Sequence, residues 1–175
     1  MDDLDNLVQD IYKTIEPLSS GEPIDISEEQ IDAFGESMKE VMRSWANPTK
    51  RDSTFSIRMS NVGKHPRKLW FDSKSKDERS PINVPTQIKF LYGHMLEELV
   101  KLFVVMSGHD LTGQQKEVVV DSVVGHIDCI IDEEVVDIKT ASSFAFNKFK
   151  HGTLRDDDAF GYLGQLAGYE ESEGT

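Results

Sequence analysis

Apolar residues recur at helical spacing in three stretches of the first part of the chain. They predict a helix over residues 2–18, a second from Ser27 to about residue 45, and a longer third from Thr86 to about Ser107. Ser27 and Gln30 have the spacing of a capping box. Gly108 is a typical residue for ending the third helix.

The pattern then changes to short stretches rich in Val and Ile, which are separated by polar turns. They predict strands over residues 116–121, 123–131 and 134–140, and two further helices follow over residues 144–150 and 157–169. This order is typical of an α+β fold, so we expect a central mixed sheet flanked by helices.

The stretch between the second and third helices, residues 46–85, is polar, basic and rich in proline. A short helix is predicted to start at Ser60, and residues 72–81 are a candidate mobile loop. We therefore expect an acidic helical N-terminal extension over residues 1–45, followed by a core domain over residues 46–175.

Cys129 is the single cysteine, which excludes an internal disulfide and any iron–sulfur or zinc site built on several cysteines. No apolar run approaches the ~18 residues that a membrane helix needs. The acidic N-terminus has no basic segment followed by an apolar run, so no signal peptide is predicted. We expect a cytoplasmic protein.

The net charge of −13 is unevenly distributed. Residues 1–45 carry a net charge of −9, residues 46–90 of +6 and residues 91–175 of −10. The overall charge argues against nucleic-acid binding, but the basic middle stretch favours it locally. The acidic N-terminal helices are either a solvated surface or a docking surface for a partner protein.

Candidate chemistry lies in residues 125–140, GHIDCIIDEEVVDIKT. If Asp132 and Glu133 form a two-residue hairpin turn, Asp128 lies opposite Asp137, and Lys139 lies on the same face. Opposed carboxylates repel unless a cation lies between them, and Mg²⁺ or Mn²⁺ prefers such oxygen ligands. The alternative is an exposed hairpin whose charged residues are simply solvated.

Two carboxylates and an ammonium are suited to phosphodiester hydrolysis. A divalent cation lowers the pKa of a coordinated water and offsets the charge of the attacked phosphate. The ammonium can orient that water or stabilise the developing negative charge.

This segment resembles motifs II and III of the PD-(D/E)xK nuclease superfamily, G-x-x-D followed by (D/E)-x-K-T. Residues 92–98, YGHMLEE, resemble the family's motif I helix, which makes Glu97 the implied ligand and Glu98 its register alternative. Residues 162–169, YLGQLAGY, match the Q-x-x-x-Y motif of the RecB-like branch through Gln165 and Tyr169.

Residues 59–70 resemble the S-x-x-x-x-C-x-R-K stretch of CRISPR-associated and RecB-like nucleases, with His65 at the cysteine position. The resemblance therefore implies a member without an iron–sulfur cluster, as in lambda-type phage exonucleases. The implied DNA contacts come from Arg58, Ser60, Lys64, Arg67 and Lys68. Family domains usually continue past the Q-x-x-x-Y helix, so a truncated, split or compact domain is expected.

The resemblance implies a metal-dependent DNA exonuclease of phage or bacterial origin, acting in DNA recombination, repair or replication. Glu97, Asp128 and Asp137 would hold one or two Mg²⁺ or Mn²⁺ ions, together with the Ile138 backbone carbonyl. Lys139 would position the attacking water, and Gln165 and Tyr169 would orient the DNA strand. If the acidic N-terminal helices are a docking surface rather than a solvated one, the expected partner is a recombination or replication protein.

Four neighbouring groups are weaker candidates for the site. They are His94 beside the ligand helix, Glu117 and His126 on the strands, and the run of aspartates at 156–158, which we expect to cap a helix. Two other functions stay open: a non-catalytic DNA-binding accessory with the same fold, and an acidic protein-interaction module.

Overall fold

The computed structural model describes residues 4–48, 55–74 and 81–174. Their fold is mixed α+β, as expected. The helices are α1 (Leu4–Ile15), α2 (Glu28–Ala46), α3 (Met59–Val62), α4 (Pro66–Lys74), α5 (Val84–Met106), α6 (Ser143–Lys150) and α7 (Tyr162–Glu173). The strands are β1 (Leu111–Thr112), β2 (Lys116–Val120), β3 (Val123–Ile127), β4 (Cys129–Ile131) and β5 (Glu134–Val136).

The prediction of one central mixed sheet is wrong for the described ranges, which contain two small antiparallel sheets. One has the strand order β1-β4-β5, and the other pairs β2 with β3. The cause is a change of register. Leu111 pairs with Ile131 and Lys116 pairs with Ile127, so residues 113–115 lie opposite only residues 128–129. This one-residue bulge, which contains Gly113 and Gln115 at positive φ, divides the predicted long strand at Asp128.

The helix ends follow local capping. The predicted capping box is confirmed, because the side chains of Ser27 and Gln30 each accept the other residue's backbone N–H. The expected start of the third helix at Thr86 is wrong: the helix begins at Val84, where Asn83 caps it by accepting the Thr86 N–H at 2.9 Å and a proline lies in the first turn. The last helix starts at Tyr162 rather than near residue 157.

The shift of the last helix start is explained by Asp158. Its carboxylate accepts the backbone N–H groups of residues 161–163, and Gly161 has a left-handed backbone with φ of 78°. The expected capping role of the aspartate run is therefore confirmed for Asp158. The candidate loop at 72–81 contains the end of α4, and its residues 75–80 lie outside the described residues.

Two compact units divide the described residues. In the first unit, which comprises residues 4–48, 82–112 and 130–134, α1 and α2 both pack on α5. His109 fixes the hairpin turn of this unit, because its Nδ1 lies 2.5 Å from Asp132 while Asp132 also accepts the Asp110 N–H at 2.9 Å. The Nε2 of His109 faces Asp10 of α1 at 3.6 Å.

The second unit contains residues 55–74, 113–129 and 135–174. Here α3 packs on α7 and β3, and Met59 is its buried centre at 2% exposure. Glycines permit this close packing: a Cβ on Gly125 would lie 2.5 Å from Met59 and 2.6 Å from Tyr169. No helix in the described ranges is long and apolar enough to cross a membrane.

Candidate active site

The hairpin between β4 and β5 has the predicted two-residue turn. Asp132 and Glu133 both have positive φ, at 50° and 71°, as a type I′ turn requires. Asp128 immediately precedes β4 and Asp137 immediately follows β5, so the two residues lie at the open end of this hairpin. The buried Cys129 Sγ lies 3.9 Å from the Val136 carbonyl, across the hairpin at this end.

Lys139 lies within reach of both carboxylates. Its Nζ is 2.5 Å from Asp137 Oδ1 and 3.5 Å from Asp128 Oδ2. Asp128 Oδ2 also accepts the Ile138 backbone N–H at 2.8 Å. The side chains of Asp137, Asp128 and Lys139 are 9%, 15% and 30% exposed, so this is a partly buried cluster rather than a solvated hairpin surface.

Two carboxylates thus share one ammonium. Burial raises the pKa of Asp137, and the neighbouring Asp128 adds to the rise, although Lys139 opposes it. For Lys139, burial acts to lower the pKa, but the hydrogen bond to Asp137 and the attraction of both carboxylates outweigh it, and the pKa is raised. With all three groups ionised, the cluster carries one excess negative charge, which suits a further cation.

Helix α7 adds a polar chain to this cluster. The Gln165 side-chain amide donates to Asp137 Oδ1 at 3.3 Å and to the Tyr169 hydroxyl at 3.0 Å. Both side chains are buried, at 7% and 2% exposure. Burial raises the pKa of Tyr169 above its ordinary value. Gln165 and Tyr169 lie four residues apart on one helix face, as the motif predicted.

The bulge described above lies directly beside Asp128. The Gln115 N–H donates to the Asp128 carbonyl at 3.3 Å. Bulges commonly re-aim a side chain near a functional site. Here the β2–β3 ladder ends at Ile127, so Asp128 lies outside that ladder. Its carboxylate accepts the Ile138 N–H from the other side of the β4–β5 hairpin.

Glu97 belongs to the first unit, on α5, and its carboxylate faces a lysine that sequence reasoning missed. Lys101 Nζ lies 2.7 Å from Glu97 and 2.9 Å from Glu98, and its side chain is 4% exposed. Burial acts to lower the Lys101 pKa, but the hydrogen bonds to Glu97 and Glu98 outweigh it, and the pKa is raised. The helical spacing of three and four residues was the signal for this triad.

Within the described ranges, no group of three or more His, Cys, Asp or Glu side chains has the arrangement of a metal site. Glu97 as a third metal ligand, and Glu98 as its alternative, therefore stay predictions. In the second unit, the oxygen donors available beside Lys139 are the carboxylates of Asp128 and Asp137, and the Ile138 backbone carbonyl follows Asp137 directly in the chain.

The predicted DNA contacts lie on α3, α4 and the residues next to them, in the second unit. Arg58, Ser60, Arg67 and Lys68 are exposed, and Lys64 is half-buried. Arg58 forms an isolated bridge with Val124 of β3, which attaches this segment to the β2–β3 hairpin. The Arg67 guanidinium lies 5.7 Å from the Phe71 ring centroid, so it is positioned by a cation–π contact.

Two of the weaker candidates, His126 and Glu117, have exposed side chains that pair with each other, although the His126 backbone hydrogen-bonds Tyr169. His126 and Glu117 face each other at 3.5 Å with side chains that are 54% and 66% exposed. His94 is exposed on α5, in the first unit. All three side chains are exposed, as is usual for surface histidine and glutamate residues.

In comparisons with protein-family models, with curated proteins and with solved structures, no match to this chain was found. The functional interpretation therefore depends on the geometry of the Asp128, Asp137 and Lys139 cluster and on the motif resemblance.

Proposed function

We propose that this chain is a metal-dependent deoxyribonuclease of the RecB-like PD-(D/E)xK type, acting as an exonuclease in DNA recombination, repair or replication. The observation that carries the proposal is the convergence of Asp128, Asp137 and Lys139 in one partly buried cluster, which Gln165 of α7 joins. Each of these four residues comes from a motif that the family resemblance singled out.

The donor set fits Mg²⁺ or Mn²⁺, because carboxylate and carbonyl oxygens are hard ligands and the cluster has an excess negative charge. Asp128, Asp137 and the Ile138 carbonyl would hold the ion, with Glu97 as the proposed third carboxylate. When bound, the ion would acidify a water and offset the charge of the phosphate.

The protein's own side chains would perform the remaining roles. Lys139 would be released from Asp137 when another cation takes its place, and its ammonium would then orient the attacking water or stabilise the charge that develops on the phosphate. Gln165 would keep Asp137 oriented through its amide, and Tyr169 would keep Gln165 oriented in turn. The exposed basic residues of the α3–α4 segment would hold the DNA phosphates.

One observation favours a second candidate, a non-catalytic DNA-binding accessory. Lys101 already neutralises Glu97, the residue that the resemblance implies as a ligand. If Lys101 does not yield Glu97, two carboxylates remain for the ion, and the fold would serve binding alone.

A cleavage assay separates the two candidates. End-labelled single- and double-stranded DNA is incubated with Mn²⁺, with EDTA as the blank, and Asp137→Asn and Lys139→Ala are compared with the wild-type chain. We expect both variants to lose cleavage by about 10²–10³-fold or more. Lys139→Ala should bind Mn²⁺ at least as tightly as wild type in calorimetry, because the ammonium competes with the ion for Asp137 and does not coordinate it.

The matched control is Asp121→Asn, since Asp121 is an exposed aspartate in the turn between β2 and β3. It should cleave like wild type. Equal cleavage by all variants would show that the site is misplaced. A wild-type chain that binds DNA but never cleaves it would support the accessory.

A further inference from the structure

A row of aromatic side chains lies exposed on the second unit. Phe144, Phe146 and Phe149 of α6 are 75%, 57% and 41% exposed, and Phe160, just before α7, is 60% exposed. Exposed phenylalanines are individually ordinary, but these four lie within seventeen residues of sequence, and two of them share a ring contact with Tyr162. Such a concentration indicates a binding surface. Together with Tyr162, these residues are called the aromatic surface below.

The aromatic surface is ordered by ring contacts. The Phe160 and Tyr162 rings stack with centroids 5.5 Å apart and planes 23° apart. The Phe149 ring lies 5.9 Å from Tyr162 at 35°. Tyr162 thus contacts both phenylalanine rings, and Phe149 and Phe160 remain 41% and 60% exposed, respectively.

The α6 part of the aromatic surface is basic in an acidic chain, whereas three aspartates at 156–158 directly precede the Phe160 part. Residues 138–155 contain four Lys or Arg and no Asp or Glu, although the whole chain carries 32 acidic residues. Lys148 lies 5.4 Å from the Phe144 ring centroid and also pairs with Asp157. Aromatic rings interleaved with cations are complementary to a ligand that has both flat apolar rings and anionic groups.

The aromatic surface is continuous with the candidate active site. Tyr162 and Gln165 are three residues apart on α7 and therefore neighbours on its surface. Gln165 hydrogen-bonds Asp137. The Tyr162 phenol is close enough to Lys139 and Asp137 for their charges to affect its pKa, which burial raises.

We propose that the aromatic surface stacks the unpaired bases of single-stranded DNA and leads that strand to Asp137 and Lys139. Unpaired bases present the free flat faces that Phe144 and Phe160 can cover, whereas the bases of a duplex are already stacked on one another. The proposal that bases stack here depends only on the aromatic surface. That the bound strand is also the strand cleaved rests on the nuclease activity proposed above.

The test measures binding in EDTA, where no cleavage occurs. The probe is a fluorescein-labelled oligothymidylate of about 16 nucleotides, compared by anisotropy with an abasic strand of equal length and with a duplex. Wild type should bind the oligothymidylate about tenfold more tightly than the abasic strand. Phe160→Ala and Phe144→Ala should each lose about tenfold in affinity, a typical loss for one stacked base.

Two controls make the result specific. Phe160→Trp keeps a flat ring and should keep the affinity. Phe90→Ala removes a phenylalanine that is 48% exposed on α5, in the first unit, and should change nothing. Equal binding of the oligothymidylate and the abasic strand, unchanged affinity in both alanine variants, or no binding at all would overturn the proposal.

A dimer in light scattering that Phe160→Ala dissociates, with DNA affinity unchanged, would also overturn it and assign the surface to a second copy of the chain. The Mn²⁺ cleavage assay is scored separately. Stacking without cleavage would contradict only the nuclease proposal, and cleavage by Phe160→Ala at the wild-type rate would contradict only the surface.

Discussion

At the scale of single residues, the notable feature is that Lys139 serves two carboxylates. Both acids are mostly buried, and each would lose its cationic neighbour if Lys139 were removed. The lysine therefore stabilises the metal-free fold by offsetting the repulsion between Asp128 and Asp137. A divalent ion held by the same two carboxylates would offset their repulsion in its place.

Lys139→Ala should lower the free energy of unfolding by about 1.5–3 kcal/mol, the usual range for a lost hydrogen bond to a charged group. Mn²⁺ should then raise the melting temperature of the variant more than that of wild type, because the uncompensated carboxylates gain more from the ion. Thermal melts with and without Mn²⁺ measure both effects.

The control is Lys116→Ala, which removes a lysine that pairs with Glu173 while 48% exposed. An exposed pair contributes at most about 1 kcal/mol, so this variant should melt nearly as wild type and respond equally to Mn²⁺. The same Mn²⁺ shift in Lys139→Ala and wild type would argue against an ion between the carboxylates.

At the scale of elements, helix caps and turns were predictable from the sequence, whereas strand register and side-chain burial were not. The Ser27 capping box and the Asp132-Glu133 turn were predictable because each depends on residues within a few positions. The Asn83 cap also had a signal, the proline two residues later, which the stronger apolar pattern obscured.

The bulge at residues 113–115 could not be predicted, because strand patterns do not show which residues face each other. The same limit applies to the site. The proximity of Asp128, Asp137 and Lys139 follows from a two-residue turn and was therefore predictable. For Glu97, the resemblance implies a metal ligand, but its carboxylate pairs with Lys101 instead. Spacing on one helix places Lys101 near Glu97, and only the packing of α5 shows that this lysine is buried.

Close packing of α3 on α7 depends on glycines that face one another. A Cβ on Gly164 would lie 2.8 Å from the Gly63 Cα, which is too close for any real Cβ contact. Gly164→Ala should therefore destabilise the protein by about 1–3 kcal/mol through overpacking. Gly35→Ala on α2 meets nothing within 4 Å and should instead stabilise by about 0.5–1 kcal/mol through helix propensity. Urea unfolding of both variants measures the difference in sign.

The His109 cluster predicts a pH dependence. The hydrogen bond from His109 holds the pKa of Asp132 below its ordinary value of 3.8, and the Asp110 N–H acts in the same direction. Because the folded pKa is lowered, the contribution to stability is present above about pH 4 and is lost as the pH falls through the folded pKa. Asp10 of α1, which pairs with Lys13, faces the same histidine.

His109→Ala should accordingly cost about 1.5–3 kcal/mol near pH 6, and its deficit relative to wild type should shrink below about pH 3.8. Thermal melts across this range check the trend. His126→Ala, which removes an exposed histidine, should cost little at any pH. If the stability deficit of His109→Ala does not change with pH, then His109 contributes through packing rather than through its hydrogen bond to Asp132.

At the scale of the whole molecule, charge is the dominant property. A net charge of −13 opposes compaction, and ion pairs such as Lys39 with Glu36 and Arg43 with Glu40 are local and exposed, so they offset little of it. NaCl at about 0.5 M shortens the Debye length to a few ångströms and screens this repulsion.

Added NaCl should therefore raise the melting temperature. A relief of about 1 kcal/mol corresponds to about 2–4 °C for a chain of this size. A melting temperature that falls with NaCl would indicate that attractive pairs outweigh the general repulsion. If the chain binds DNA as proposed, the sign reverses for that binding, since salt weakens contacts between basic side chains and phosphates.

Gln165 gives the candidate site a built-in spectroscopic reporter. Its side-chain NH₂ donates to Asp137 and to Tyr169 while 7% exposed, so its two amide protons should exchange slowly with water and resonate apart from those of solvated glutamines. Whatever displaces the charge near Asp137 must shift this pair of signals. A single cross-peak pair in an NMR spectrum of ¹⁵N-labelled protein would then follow occupation of the site directly, with neither DNA nor turnover required.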